Sequence, residues 1–206
     1  MKKYLIILVI LTILLEISVL FMPDVVPLHY NISGAPDRMG SKYWMYLFDL
    51  LPLAVYGLMS ITKKIDPRKE NLEKSSNYEL MKYLVTGLIL GITVVATGRV
   101  FFKELSVRTG LLIIIGVFFV MIGNYMPRIR QNYFMGIKTP WAIHDENNWK
   151  ATHRIGGMTY VLMGLLFIVS AFLTGTLSFI IMIISLLLST VFVYVYSYWY
   201  FKRHQE

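Results

Sequence analysis

Residues 156–201 form a run of 46 positions without a single Asp, Glu, Lys or Arg. At about 1.5 Å of rise per residue, a helix of that length is far too long for one crossing of a ~30 Å hydrocarbon core and suits two crossings. The natural break between them lies at Thr174-Gly175-Thr176. Only 16% of all positions are charged, against about 25% in soluble domains, so an ordinary soluble globule is excluded.

Six apolar windows are each long enough to cross a bilayer. They lie at residues 4–22, 43–62, 81–102, 109–126, 157–174 and 177–201. An open sheet cannot satisfy its backbone in lipid, and the windows lack the alternation of barrel strands, so they are assigned as helices. The first window contains Glu16 and no cleavage-site pattern follows it, which predicts a retained span. The sequence therefore predicts an all-α integral membrane protein, one domain over residues 1–206 built as a bundle of six transmembrane helices.

Basic residues predict the orientation of this bundle. With the N-terminus inside, fifteen of the twenty Lys and Arg residues fall on the inner side. The outer side holds Arg38, Lys42, Lys103 and Arg108, while Arg99 lies within the third span. Because cytoplasmic loops carry the basic excess, both termini are predicted to be cytoplasmic and the protein a multi-pass protein of the cell membrane. The net charge of +8 sits at the ends of apolar segments rather than in one patch, so direct nucleic-acid binding is not predicted.

Three ionisable residues, Glu16, Asp49 and Arg99, interrupt the spans, all in the predicted outer half. A charged side chain inside a membrane is costly and usually faces the bundle interior or water. Three interpretations stay open: a Glu16 or Asp49 pair with Arg99 that fixes helix packing, a polar pocket open to the outside, or Arg99 extending alone to the interface.

The outer loop, residues 23–42, is punctuated by proline and glycine into an extended stretch at 25–30 and a turn at 33–37. This pattern predicts a small ordered cap on an N-terminal helix pair spanning residues 1–62. His29 and Asp37 are candidate ligands or acid–base groups, or they hydrogen-bond the loop to itself. The inner loop at residues 63–80 has mixed charge and is interpreted as a connector.

The second inner loop, residues 127–156, interleaves aromatic and charged residues. Thr139-Pro140-Trp141 is expected to stop a helix, and His144 or Asp145 to cap a new one that leads into the fifth span. The spacing of Glu146, Trp149 and His153 on that helix places them on one face. The aromatic side chains of the loop are expected at the inner headgroup layer: Tyr133, Phe134, Trp141 and Trp149.

No motif in the chain predicts catalysis. The string of His144, Asp145, Glu146 and His153 lacks the i, i+4 histidine spacing of a zinc helix. No nucleophile elbow, phosphate loop or dinucleotide fingerprint occurs, and the absence of cysteine excludes disulfides, zinc–thiolate sites and iron–sulfur clusters. We therefore predict no enzyme, no catalytic residue, no metal and no cofactor.

The 127–156 loop and its approach resemble the signature of the SdpI family of immunity membrane proteins. The residues that carry the resemblance are Gly123-Asn124, the run Asn132-Tyr133-Phe134-Met135-Gly136-Ile137-Lys138-Thr139-Pro140-Trp141, then Glu146, Trp149-Lys150 and His153-Arg154. The family-like region spans residues 109–201. Lys138 stands where the family often has Arg, which keeps the charge but loses the bidentate fork.

The N-terminal segment Pro23 to Lys42 resembles the domain of unknown function that often precedes this signature, with its P-x-H-x-N and later G-x-x-D pattern. In this chain the pattern includes His29, Asn31 and Asp37. These three residues join the candidate binding residues of the inner loop.

The resemblance implies a six-span protein that protects its own cell from a secreted peptide toxin acting on the membrane. The implied partners are the lipid bilayer, a secreted peptide on the outer side and, for signalling, a cytosolic ArsR-type repressor held at the inner side. The alternative is a membrane-embedded enzyme or transporter of a cell-envelope precursor that uses Glu16, His29, Asp49 and Arg99. That alternative predicts a continuous polar cavity, whereas immunity by binding needs only an exposed surface.

Overall fold

A computed structural model describes residues 2–73 and 76–204. Lys74, one of the basic residues counted above on the inner side, lies outside them. The described elements, in chain order, are helix α1 (Lys2–Val19), strands β1 (Val25–Tyr30) and β2 (Pro36–Ser41), and helices α2 (Tyr43–Ile65), α3 (Lys69–Glu73), α4 (Ser76–Phe101), α5 (Val107–Tyr125), α6 (Pro140–His144), α7 (Glu146–Ser170) and α8 (Gly175–Arg203).

Among the described residues, five helices are long and apolar enough to cross a membrane: α2, α4, α5, α7 and α8. The predicted all-helical membrane fold is confirmed at that level. Helix α1 forms where the first span is predicted, but its 18 residues include Lys2, Lys3 and Glu16. The sixth crossing and the cytoplasmic termini therefore stay predictions.

Residues 23–42, the predicted outer loop, contain an antiparallel β-hairpin of β1 and β2, and β1 coincides with the extended stretch expected at 25–30. The hairpin rests on the first turns of α5 and α8. A Cβ added at Gly34 would lie 3.0 Å from the Cβ of Arg108, and one at Gly175 would lie 2.9 Å from the Ile32 carbonyl oxygen. We call this side of the bundle the hairpin end and the side that carries α3 and α6 the loop end.

Helices α5 and α7 pack with their backbones almost in contact. Gly116 lies opposite Gly164, and Gly123 lies opposite Gly157. A Cβ at Gly164 would approach the Gly116 carbonyl oxygen to 2.5 Å, and one at Gly157 would approach the Gly123 oxygen to 2.6 Å. Small residues allow such close packing, which replaces the hydrophobic driving force that lipid does not supply. The glycines of the fourth predicted span thus pack two helices of the same chain.

The loop end is built from caps that the sequence encodes. The Thr139 hydroxyl accepts from Ala142 N at 3.1 Å, with Pro140 at the first position of α6. The Asp145 carboxylate accepts from the backbone N–H groups of Asn147 at 3.2 Å and Asn148 at 2.7 Å, which begins α7. The predicted cap at Asp145 is confirmed. Thr139-Pro140 starts a short helix rather than ending one, because threonine caps and proline suits a first turn.

Candidate functional site

A buried polar network ties the start of α7 to the end of α8. The Asn148 amide donates to the Ser197 carbonyl oxygen at 2.9 Å, and Asn148 Oδ1 accepts from Ser197 Oγ at 2.9 Å. The same oxygen accepts from Thr152 Oγ1 at 2.9 Å, and Ser197 Oγ lies 2.6 Å from Thr139 Oγ1. All four side chains are fully buried. Because each bond satisfies a group shielded from water, the network fixes the two helices in one register.

His153 and Trp149 form the centre of the loop end. Their rings stack with centroids 4.0 Å apart, and Trp149 Nε1 donates to the Ile129 carbonyl oxygen at 2.7 Å. His153 Nδ1 donates to the Trp149 carbonyl oxygen at 2.8 Å, while Nε2 accepts from Ile137 N at 3.0 Å. Both ring nitrogens are engaged, so His153 holds one neutral tautomer and has no lone pair left for a metal.

The chain before α6 is held in a tight turn by Asn132, which is buried. Asn132 Oδ1 accepts from Phe134 N at 2.9 Å and Met135 N at 2.7 Å, and its amide donates to the Arg130 carbonyl oxygen at 2.8 Å. The turn continues to Gly136, whose φ of 98° is one that only glycine adopts freely. These bonds shape the loop and place the Ile137 N–H within hydrogen-bond distance of His153 Nε2.

The 63–80 segment docks onto this loop, so its interpretation as a simple connector is wrong. The buried Asp66 accepts from Tyr133 N at 3.0 Å and from Arg68 N at 2.6 Å. The Asn71 amide donates to the Gln131 carbonyl oxygen at 2.8 Å. The polar residues of this segment therefore reach backbone groups that are remote in sequence, which mixed charge alone does not reveal.

The hairpin turn is organised by Asn31. Its Oδ1 accepts from Ser33 N at 3.0 Å, Ser33 Oγ at 2.6 Å and Ala35 N at 3.1 Å. Gly34 follows with a φ of 83°, so the turn predicted at 33–37 is confirmed. The structure thus gives Asn31 a turn-forming role that the sequence pattern did not specify.

His29 and Asp37 face each other across the hairpin. His29 Nδ1 lies 2.6 Å from Asp37 Oδ1, and both side chains are exposed. Of the two interpretations left open, the structure supports the one in which they bond the loop to itself. No group of three potential ligands among His, Asp and Glu gathers anywhere in the described part of the chain.

Of the three interpretations left open for these residues, the structure does not support a pair of Arg99 with Glu16 or Asp49. Arg99 Nη1 donates instead to the Leu105 carbonyl oxygen at 3.3 Å, beyond the end of α4. Burial raises the pKa of the Tyr30 phenol in the hairpin, and the Arg99 cation is close enough to oppose that rise. Because the arginine side chain is long and lies in the last turn of α4, its guanidinium bonds to the Leu105 carbonyl oxygen beyond the helix end rather than to the acids inside the bundle.

Two family models match the sequence of this chain. Residues 128–197, which hold the loop end and most of α7 and α8, match the model described as "SdpI/YfhL protein family". Residues 6–53, which hold α1, the hairpin and the start of α2, match "Domain of unknown function (DUF1648)". The chain is also 27% identical over 209 residues to "Immunity protein SdpI" of Bacillus subtilis (strain 168), across 98% of each chain. The chain is similar to the SdpI family. No solved structure matches it.

The SdpI-like signature divides into buried and exposed residues. Asn132, Thr139, Trp149 and His153 are buried, and Trp141 is half-buried against aromatic rings of α8. Its exposed members include Asn124, Tyr133, Phe134, Lys138, Pro140, Glu146, Lys150 and Arg154. Asn124 and Arg154 line one shallow groove between α5 and α7. The signature is therefore largely a folding element whose exposed members form the free surface of the loop end.

The residues of the signature helix have unlike surroundings. Glu146 keeps the predicted helical spacing to Trp149 and His153, but it is exposed and pairs with Lys150 at 2.9 Å, whereas the other two side chains are buried. The prediction that Trp149 lies at a headgroup layer is wrong, since its ring is enclosed by protein. Within the first turn of α7, Glu146 and Asn147 are exposed while Asn148 and Trp149 are buried, so helical spacing alone does not give the surroundings of a residue.

Sequence reasoning missed Asn148, Thr152 and Ser197, which form the buried network. Asn148 adjoins a signature residue, and Ser197 is a serine within an aromatic run. A polar side chain inside an apolar helix is a usable signal, because lipid offers it no partner. That signal finds Ser197 but does not identify its partner.

Loss of the α7 cap gives a first testable result. Asp145→Ala removes the acceptor for two N–H groups and is expected to destabilise the loop end by about 0.5–2 kcal/mol. Glu146→Ala, the matched control one residue later, removes only an exposed pair and should leave the thermal midpoint unchanged. Unfolding followed by tryptophan fluorescence measures both; equal midpoints for the two variants would show that the cap contributes nothing.

The hairpin turn gives a second testable result. Asn31→Ala removes three hydrogen bonds and should speed amide hydrogen exchange across residues 30–36 by about tenfold, with α2 unaffected. His29→Ala, which removes one exposed pair, should change exchange in the turn far less. Hydrogen exchange with mass spectrometry on the full chain makes the comparison. An unchanged turn in Asn31→Ala would contradict its assigned role.

Proposed function

We propose that this chain is a membrane immunity protein that protects its own cell from a secreted, membrane-active peptide toxin. The observation that carries the proposal is the end-to-end similarity to a protein named for immunity, which includes both the hairpin and the loop end. A shared short motif would support only a shared structural element. Similarity over the whole chain supports a shared activity.

The hairpin is the part that suits a peptide at the predicted outer face. Val25, Ile32 and Met39 are each more than half exposed on it, and the exposed Arg38 adjoins Met39. Exposed apolar side chains next to a cation fit an amphipathic peptide that arrives at the membrane surface. Binding there removes the toxin from the bilayer before it inserts.

A signalling role is the second part of the proposal. At the loop end Tyr133 and Phe134 are 42% and 39% exposed, next to Lys138, whose Nζ donates to the Tyr133 carbonyl oxygen at 3.3 Å. An exposed aromatic pair beside a cation suits a protein partner, for which we propose an ArsR-type repressor. A peptide bound at the hairpin changes that surface only if it binds two states of the bundle with different affinity.

The alternative, an enzyme or transporter of an envelope precursor, has one supporting observation, the buried Asp49 and the half-buried Glu16. The partners expected for such a site do not join them: Arg99 bonds to Leu105, and His29 is exposed in the hairpin. We therefore prefer binding over catalysis or transport.

The test is survival of a toxin-sensitive bacterium that expresses the chain, challenged with a panel of secreted membrane-active peptides. Cells with the empty vector and cells with Trp141→Ala at an equal membrane level are the comparisons. We expect the wild type to raise the inhibitory concentration of at least one peptide about tenfold or more. No protection against any peptide of the panel would reject immunity and favour the enzyme or transporter.

A further inference from the structure

Four polar side chains inside the N-terminal half of the bundle have buried oxygen atoms without a hydrogen-bond partner. They are Thr12 and Glu16 on α1, Asp49 on α2 and Thr97 on α4. Asp49 has no exposed surface and neither of its carboxylate oxygens has a partner; Thr12 and Thr97 are 2% and 5% exposed. A folded protein rarely leaves buried acceptors empty, so each such group calls for a ligand or another explanation.

These side chains lie on three helices that pack against one another. Thr12 and Glu16 are one turn apart on α1 and share a face. Asp49 lies one turn beyond Met45, which packs in a cluster that contacts Ala96, the neighbour of Thr97. Asp49 also lies close enough to Glu16 for the two carboxylates to interact electrostatically.

The two threonines differ from comparable hydroxyls in the same helices. Ser18 on α1 donates to the Leu15 carbonyl oxygen at 2.7 Å, and Thr93 on α4 donates to that of Leu90 at 2.9 Å. A hydroxyl in a helix usually satisfies itself in this way. Thr12 and Thr97 do not, although both are buried, so their oxygens remain available to a ligand.

The donor set consists of oxygen atoms only: both oxygens of Asp49, one of Glu16 and two hydroxyls. Oxygen acceptors with negative charge suit a hard cation. A calcium ion takes six to eight ligands, and magnesium demands a near-ideal octahedron. Five oxygens, from two acids and two hydroxyls, are fewer than the ligands that either ion takes. A monovalent cation, a proton or a sodium ion, is the better fit.

No basic side chain among the described residues pairs with these acids. On α4, Arg99 bonds to the Leu105 carbonyl oxygen, and at the start of α2, Lys42 lies 3.2 Å from Asp24. The lysines of the opposite end, Lys63 and Lys82, both pair with Glu79. A buried carboxylate such as Asp49, with a second acid nearby and no basic partner, requires a positive charge from elsewhere.

We propose that Thr12, Glu16, Asp49 and Thr97 form a buried binding site for one monovalent cation, a proton or a sodium ion, between α1, α2 and α4. The site holds the three helices beneath the hairpin together when it is filled. This inference goes beyond the proposed immunity function and does not depend on it.

The test uses the full chain in lipid nanodiscs, with the thermal midpoint of unfolding as the readout. Sodium chloride is exchanged for choline chloride at constant ionic strength, over a series of pH values. A ligand that binds only the folded state raises the midpoint as its concentration rises. If the site binds sodium, the midpoint should rise with the sodium concentration at fixed pH. If it binds a proton, the midpoint should be independent of sodium and should rise as the pH falls.

The variants isolate the site from other titrating groups. Asp49→Asn and Glu16→Gln should each abolish the cation dependence seen in the wild type, and Thr97→Val should weaken it. Thr93→Val is the matched control, since its hydroxyl is satisfied by its own helix, and it should keep the full dependence. If Asp49→Asn does not fold, Glu16→Gln and Thr97→Val carry the comparison. The same sodium and pH dependence in wild type and site variants would overturn the proposal.

Discussion

Gly164→Ala is expected to destabilise the bundle by about 1–3 kcal/mol and to lower the amount of folded protein in the membrane. The added Cβ would lie 2.5 Å from the Gly116 carbonyl oxygen and 2.7 Å from Val120 N. Both neighbours are backbone atoms, so no side chain can rotate away and α5 must separate from α7. Because α5 and α7 pack with their backbones almost in contact, the substitution is expected to destabilise the whole SdpI-like region.

The matched control is Gly57→Ala in α2, where an added Cβ has no atom within 4 Å. Alanine favours a helix over glycine by up to about 1 kcal/mol, so this variant should be neutral or slightly more stable. Unfolding of both purified variants in the same detergent, followed by tryptophan fluorescence, makes the comparison. Equal loss of stability in the two would mean that close glycine packing does not hold α5 against α7.

Asn148→Leu is expected to cost about 1–3 kcal/mol, because it preserves much of the volume but leaves Thr152 and Ser197 groups without a partner in a buried site. The neighbouring Asn147→Leu is the control, since Asn147 is exposed. Thermal unfolding should separate the two variants by several degrees. Hydrogen exchange should also show faster opening at the end of α8 in Asn148→Leu alone, and its absence would disprove the link to Ser197.

The hairpin shows how much a local pattern can predict. Proline and glycine placed the extended stretch and the turn, because these residues restrict or release backbone angles within a few positions. The pairing of Val25 with Ser41 and the contact of Gly34 with Arg108 were not predicted, since they depend on contacts between distant parts of the chain. The cap at Asp145 was predicted for the same local reason as the turn.

The interior of the bundle was predicted less well. Electrostatic reasoning matched Arg99 to Glu16 or Asp49 by depth alone, but depth does not give the side of the helix that a residue faces. Trp149 was placed at an interface because tryptophan favours that layer, whereas its N–H reaches the Ile129 carbonyl oxygen inside the protein. Pairings of this kind require the rotation and neighbours of each helix, which a single sequence does not contain.

The measurement that tests the central claim most directly is toxin survival of cells expressing the wild type, Asn31→Ala or Lys138→Ala at equal membrane levels. Asn31 shapes the hairpin, and Lys138 lies exposed at the loop end. If the chain protects by meeting the peptide at its hairpin, Asn31→Ala should lose most of the protection and Lys138→Ala should keep it. Protection that survives Asn31→Ala but is lost in Lys138→Ala would contradict this account of immunity.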